Sequence, residues 1–448
     1  MPLIPFATKS VHQQYSGQRL LNYFPRATPD AVSPVVLIGR SPLTEKVQVG
    51  NRVHRMVKMG GAVYAVAAGA VWKFDGTSVT RVGAVVDGSQ VSVAASGTEV
   101  AIVVGNTYYI CNGVSTTSYS TGAVTNPQWV VFQDGYFLVS GTASGRSDAL
   151  TISGLDDGTT FDSLEFIFAE NAPDEVLGLV SDHGQVWAFG RDTTEVFWNS
   201  GGQDFPFQPN RSAMIEKGCI NGMTVAKEDN SVLWVGPDKV VYRSGGGTPQ
   251  VISTREVEEA LTAKTVESGF VFQDRGHKFY AVRTDDGPTW CYDLTTGEWA
   301  ERSTGVNEDP WVATDTEWLN GTQYFATSTG KISTDGGNSY TDDGEIIVGE
   351  AISRPIYVNS GEDYVFLRSL SVSVVSANAS LSYTPQISLQ MSRDGSVWSM
   401  EKWRDLPVDG EYEKDIRWHG IGAFRKRVQA RFRVTDPVKR DLHGLAYA

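Results

Sequence analysis

The sequence predicts an all-β fold built mostly from repeats, on three observations. Gly is abundant at 46 residues, aromatics reach 11% and charged residues only 20%, the profile of many tight turns joined by short strands. Seven times a turn rich in Gly, Asp or Asn runs straight into β-branched and aromatic residues: GGAVYAV from Gly60, GTEVAIV from Gly97, DGYFLVS from Asp134, HGQVWAF from His183, DNSVLWV from Asp229, RGHKFYA from Arg275 and NGTQYFA from Asn320. The copies stand roughly 35 to 50 residues apart, the length of a four-stranded propeller blade. These observations predict a β-propeller of about seven blades over residues 51–345, with an extended N-terminal arm over 1–50 and a C-terminal antiparallel β-sandwich-like domain over 346–448.

The arm is dotted with Pro2, Pro5, Pro25, Pro29, Pro34 and Pro42. Proline fixes φ and removes a donor, so few regular strands are expected there. Leu20, Leu21, Tyr23 and Phe24, followed by Val35, Val36 and Leu37, are its apolar anchors. They predict an ordered arm that closes a blade or reaches a neighbouring subunit. Within the propeller, Asp75-Gly76 and Asn112-Gly113 are hairpin turns, because both positions tolerate φ above zero. The segment from Thr254 to Lys264 is rich in helix formers, with Thr254 as N-cap. The later repeats are spaced more widely and are expected to carry the longer loops. Beyond residue 346 the strands lengthen and alternate cleanly, as in Leu370–Val374, Ile387–Met391 and Arg427–Val434, which suits a sandwich.

Net charge is −14 and the pI about 5.0. Tight nucleic-acid binding needs clustered Lys and Arg, so it is disfavoured for the chain as a whole. An acidic surface is instead suited to a conduit past which DNA slides. Cys111, Cys219 and Cys291 are far apart and match no zinc spacing; they read as reduced, buried thiols. The N-terminus lacks the basic and apolar regions of a signal peptide. No run of 18 apolar residues occurs, so no membrane segment is expected.

Motifs for chemistry are sparse. STDGGNSYT at 333–341 resembles an Asp box, the structural turn of sialidase propellers, and SRDGSVWS at 392–399 matches it more loosely. An ordinary Asp-Gly hairpin is the competing reading. Asp335, Asp342, Asp343 and Glu345 are dense, but a calcium loop counted from Asp335 would need Gly where Tyr340 stands. The six His form no metal motif, and neither a GxSxG elbow nor a P-loop occurs. No catalytic residue, cofactor site or metal site is assigned, and no enzyme activity is expected. The most basic stretch is Arg425-Lys426-Arg427 with Arg431 and Arg433. On a strand Arg427, Arg431 and Arg433 share one face, opposite Val428, Ala430, Phe432 and Val434. That face is solvated, contacts an acidic neighbouring subunit, or touches DNA.

Three strings carry a resemblance. RWHGIGAFRKRVQARFRVTDPVK at 417–439 resembles the end of the tail-hub proteins of short-tailed bacteriophages, the packaged-DNA stabilisation family. SGQRLLNYFPR at 16–26 resembles that family's early segment. TTEVFWNSGG at 193–202, followed by SAMIEKGCI at 212–220, is similar to its Glu-aromatic strand and later turn. The resemblance implies a virion structural protein of the tail, made in the host bacterial cytoplasm, without enzyme activity. It implies a homo-oligomeric ring, hexameric in the relatives, below the portal and its head-to-tail adaptor ring. Such a ring continues the DNA channel, touches passing genomic DNA non-specifically, retains the packaged genome, and holds tail fibres or spikes and a tail needle or plug. Two alternatives come from other classes: a propeller glycosidase of sialidase type, and a glycan-binding tail protein.

Overall fold

The structure, a computed structural model, describes residues 18–28, 35–169, 174–202, 205–357, 364–375, 381–408, 411, 413–425 and 427–447. Seven four-stranded blades follow one another around a ring. Their innermost strands are Val53–Met59, Val91–Ala95, Thr125–Gln133, Gly178–Asp182, Ala226–Glu228, Val266–Asp274 and Ala313–Leu319. The second strand of every blade falls on a predicted repeat: Ala62–Ala67, Val100–Val104, Tyr136–Ala143, Gln185–Phe189, Ser231–Val235, His277–Thr284 and Thr322–Thr327. The turn before it explains the repeat. A left-handed residue followed by a left-handed Gly occurs at Asp134-Gly135, His183-Gly184, Arg275-Gly276 and Asn320-Gly321, the type I′ geometry whose twist matches flanking strands. Blade two uses another device: Ser96 Oγ accepts from the N–H groups of Thr98 and Glu99.

The predicted helix forms as Arg255–Thr262 between blades five and six, burying Val257 and Leu261 one turn apart against both. Thr254 occupies the N-cap position, but its side chain makes no capping bond. Glu256 and Glu258 in the first turn complement the helix dipole instead.

The N-terminal region departs from expectation. Few strands were expected, yet the described part holds four: Arg19–Leu21, Tyr23–Ala27, Val35–Gly39 and Leu43–Gln48. The last pairs antiparallel with Lys331–Asp335 and is the outer strand of blade seven, so the two ends of the propeller are stitched into one sheet. Pro25 is tolerated because Tyr23–Ala27 is the edge strand of its sheet, where a missing N–H costs no ladder bond.

The C-terminal sandwich is completed by the same region. One sheet runs Tyr23–Ala27, Val35–Gly39, Leu442–Tyr447, Tyr364–Val375, Glu413–Arg425. The other is continuous with blade six, passing from Glu298–Thr304 through Arg19–Leu21 to Gly349–Ile352, Arg427–Val434, Gln386–Ser392 and Lys402–Asp405. The N-terminal hairpin is therefore a middle layer. Tyr23 and Leu37 enter the sandwich core with Leu370, Trp418 and Phe432. Phe24, Val36 and Ile38 enter a second core with Phe272, Phe279, Trp311 and Phe325 of blades six and seven.

Candidate interaction surfaces

Leu20, Leu21, Tyr23 and Phe24 were expected at an interface; each is buried inside its own chain. The cause is the middle layer: a hairpin covered on both faces must be apolar on both. These side chains serve contacts within the subunit.

Around them runs a buried charged seam. Asn22, in the left-handed region at φ 59, donates from Nδ2 to Ser303 Oγ (3.2 Å) and to the Val348 carbonyl (2.7 Å), and accepts at Oδ1 from Arg40 Nε (2.7 Å) and Ser303 N (3.0 Å). Arg40 forks onto Asp342, with Nη1 2.8 Å from Oδ1. Asp342 also accepts from Thr304 Oγ1 at 2.6 Å. Arg302 bonds Asp274 at 2.9 Å and lies over the Phe272 ring at 4.4 Å. Arg19 meets Glu301, Glu308 and Glu350; burial opposes its charge, but these three carboxylates outweigh it and raise its pKa. Arg440 is buried beside Tyr23, and burial lowers it to about 10. Gly39 is required there: a Cβ would stand 2.5 Å from Arg440 Cγ. Arg19 ties the N-terminal region to Glu301 of blade six and to Glu350 of the sandwich, and Arg40 ties it to the Ser303 carbonyl and to Asp342 in the segment entering the sandwich, so the seam fixes the angle between the two parts.

The propeller axis encloses about 360 Å³, lined by the innermost segments of all seven blades. Arg55 of blade one reaches across it, donating to the Met223 carbonyl at 2.6 Å and facing Asp315 of blade seven at 3.4 Å. Burial raises the Asp315 carboxyl. A sialidase-type centre needs a cluster of Arg around a free nucleophile; here one Arg is spent on a carbonyl and one carboxylate.

Of the Asp-box readings, the stronger sequence match does not cap its turn, since no bond to following N–H groups is formed by Asp335 among the described contacts. The looser match does. Asp394 Oδ1 accepts from Ser396 N and Val397 N, both at 2.8 Å, and these bonds hold its carboxyl below the usual range. Trp398 of this turn lies under Arg431 at 4.5 Å. Among the described residues no group of three His, Cys, Asp or Glu is placed to hold a metal. The three Cys are buried and unpaired, and burial pushes Cys219 and Cys291 up to about 12, which makes them inert at neutral pH.

Glu298 of blade six is the clearest titrating carboxyl. Burial, then the neighbouring Asp293, raises it from 4.5 to about 7. Between those values the folded chain holds a proton that the unfolded chain releases, so stability falls as pH rises through that window. Glu298→Gln is expected to flatten this slope and to stabilise the protein above the window by on the order of 1 kcal/mol, the side chain keeping part of its water. Urea unfolding across pH checks it; an unchanged slope would count against the assignment.

The basic residues divide. Arg425 is exposed, and Lys426 lies outside the described residues. Arg427 donates to the carbonyls of Arg393 and Asp394, and Arg431 to Gln390. Arg433 stands opposite Glu350 and Ser388 in its sheet. The alternation of Arg427–Val434 is as expected: Val428, Ala430, Phe432 and Val434 are buried and the Arg face is half-exposed. Sequence reasoning named Arg425 but missed the exposed row on the sandwich's outer sheet to which it belongs. Arg425 is exposed opposite Tyr364 of the next strand and near Phe366, which is 71% exposed, and Arg417 is exposed further along opposite Ser371. The signal available was the inward alternation of Trp418 and Phe424.

A closed ring of seven blades fused at one edge to a sandwich defines the class of the chain, an all-β protein of two joined parts. The comparisons name its kind. The family model described as bacteriophage P22 Gp10, beta-propeller, matches residues 1–332, and that described as bacteriophage P22 Gp10, beta-sandwich, matches residues 357–447. The chain belongs to this family, the tail-hub or DNA-stabilisation proteins of short-tailed phages, and is a phage tail structural protein. Among curated proteins no match is found. Similar solved structures include the beta-propeller domain of Cps50 (Swd1) from Myceliophteria thermophila, with 9% identity over 66% of this chain and 100% of that one, TM-score 0.45. BamB from Moraxella catarrhalis gives 13% identity over 69% and 93%, TM-score 0.41. The computationally designed Ika8 protein gives 15% over 72% and 100%, TM-score 0.42.

Proposed function

We propose that this chain is the tail hub, or nozzle, of a short-tailed phage virion. Copies form a homo-oligomeric ring that joins the head-to-tail adaptor, continues the DNA channel, retains the packaged genome, and anchors fibres or spikes and a tail plug. The observation that carries this reading is the family match, which runs through both the propeller and the sandwich. The welded seam supports it, because a channel wall under the pressure of packaged DNA needs parts that do not swing. The net charge of −14 supports passage of DNA without adhesion, and the role requires no enzyme activity. No helix among the described residues is long and apolar enough to cross a membrane.

The test is a phage stock in which this gene is disrupted. Heads are expected to package DNA and then lose it, and supplying the chain in trans restores retention. Particles that keep their genome without it would overturn the reading. A fluorogenic sialoside assay on purified protein is expected to show no turnover.

A further inference from the structure

Charge is unevenly shared along the chain. Residues 346–448 carry 14 Lys and Arg against 12 Asp and Glu, while residues 1–345 carry 24 against 40. The acidity is concentrated. Between Arg146 and Arg191 there is no Lys or Arg, and nine carboxylates. This stretch includes the outer hairpin of blade three, Arg146–Gly154 and Asp157–Phe168, the latter an unpaired edge strand 12 residues long. Asp156 and Asp162 are exposed along it. So are two large apolar side chains, Leu155 at 62% and Leu164 at 85%. An apolar, acidic ridge on an unpaired edge is unusual on a free surface, because edge strands are ordinarily protected by Lys, Pro or short length.

The opposite pattern stands on the sandwich. Residues 417–435 hold six Lys and Arg and no acid. The outer face of that sheet presents Arg425 opposite the exposed Tyr364, with the exposed Phe366 opposite Ala423, and Arg417 further along the same strand opposite Ser371. Arg and aromatic residues are the types enriched at protein interfaces. Nucleic acid is the weaker occupant: the domain as a whole is nearly neutral, and Asp415 sits at one end of the same face.

These two surfaces cannot meet within one subunit. The sandwich is joined to the outer edge of blade six, and blade three lies on the far side of the seven-membered ring, with blades four and five between them on one side. Complementary patches on opposite sides of one molecule make a heterologous, head-to-tail contact.

We infer that the acidic, leucine-bearing edge of blade three in one copy docks on the Arg-aromatic outer face of the sandwich in the next. Leu155 and Leu164 fill the apolar part of the face against Tyr364 and Phe366, and Asp156 and Asp162 face Arg417 and Arg425. This contact rests on the ring-forming reading above and specifies its surfaces.

The test uses the full chain and measures assembly by native mass measurement at several salt concentrations. The wild type assembles, more weakly as salt rises. Asp156→Lys with Asp162→Lys, and separately Arg417→Glu with Arg425→Glu, are each expected to weaken assembly by about ten-fold or more through like-charge repulsion. All four changes in one chain restore it, because the charges are again opposite. These sites are on the surface, so circular dichroism and the thermal midpoint should not move. Reversed chains that assemble normally, or a fourfold variant that stays apart, overturn the contact while leaving the ring reading intact. A wild type that remains a monomer at every concentration overturns both. Loss of duplex DNA binding by the Arg417→Glu, Arg425→Glu chain with assembly unchanged would assign the face to nucleic acid and overturn the inference.

Discussion

A chain starting at residue 51 is expected to yield no soluble, cooperatively folding protein. The truncation removes the outer strand of blade seven, Leu43–Gln48, and leaves the partner strand Lys331–Asp335 as an open edge. It also removes the middle layer between propeller and sandwich, exposing both cores where Leu20, Tyr23, Phe24, Val36 and Ile38 now pack. At about 1.5–3 kcal/mol for each large apolar side chain, the loss approaches the whole stability of a typical domain. Asp342, Glu301 and Glu350 would in addition lose Arg40 and Arg19. Expression, solubility and calorimetry check this. A truncated protein that melts within a few degrees of the full chain would show that the N-terminal strands are accessory.

The second large effect is expected at Asp342. Asp342→Leu removes the carboxylate that Arg40 grips with both terminal nitrogens and leaves a buried guanidinium with only Asn22 and carbonyl oxygens around it. Breaking one side of a buried pair costs about 3–5 kcal/mol. The double variant Arg40→Met, Asp342→Leu should recover most of that loss, since no charge is then stranded. Denaturant unfolding of the single and double variants measures the coupling directly. A double variant no better than the single one would mean that the seam acts through packing and not through charge.

The propeller was legible because its signal is local. Six of the seven blades announce themselves by a turn that needs left-handed residues, and blade two by a Ser-capped turn, next to a run that needs a sheet, and both fit within about ten residues of chain. The helix at Arg255–Thr262 was legible for the same reason. The N-terminal strands were not. Val35–Gly39 shows no polar alternation, because it is covered on both sides, and Leu43–Gln48 finds its partner at Lys331–Asp335, far away in sequence. Proline at position 25 pointed away from a strand, and only the edge location permits it. The same layer accounts for the reassignment of Leu20, Leu21, Tyr23 and Phe24: apolar residues in a Pro-rich segment look like an arm awaiting a partner when the partner is the rest of the chain. Of the basic residues, Arg427 and Arg431 were rightly placed on one face, but a strand pattern cannot say that carbonyls, Gln390 and Trp398 already engage them.

The stitched blade also sets an order in time. The strand that seals the ring, Leu43–Gln48, is synthesised long before its partner, which begins at Lys331. At roughly 5–20 residues per second, the early strand waits on the order of 15 to 60 s before anything exists for it to seal. During that interval the nascent chain carries an unsatisfied edge and an apolar hairpin whose two coverings are still unmade. Ring closure is thus a checkpoint on completeness: a polypeptide cut short before its seventh blade has no way to become a closed propeller.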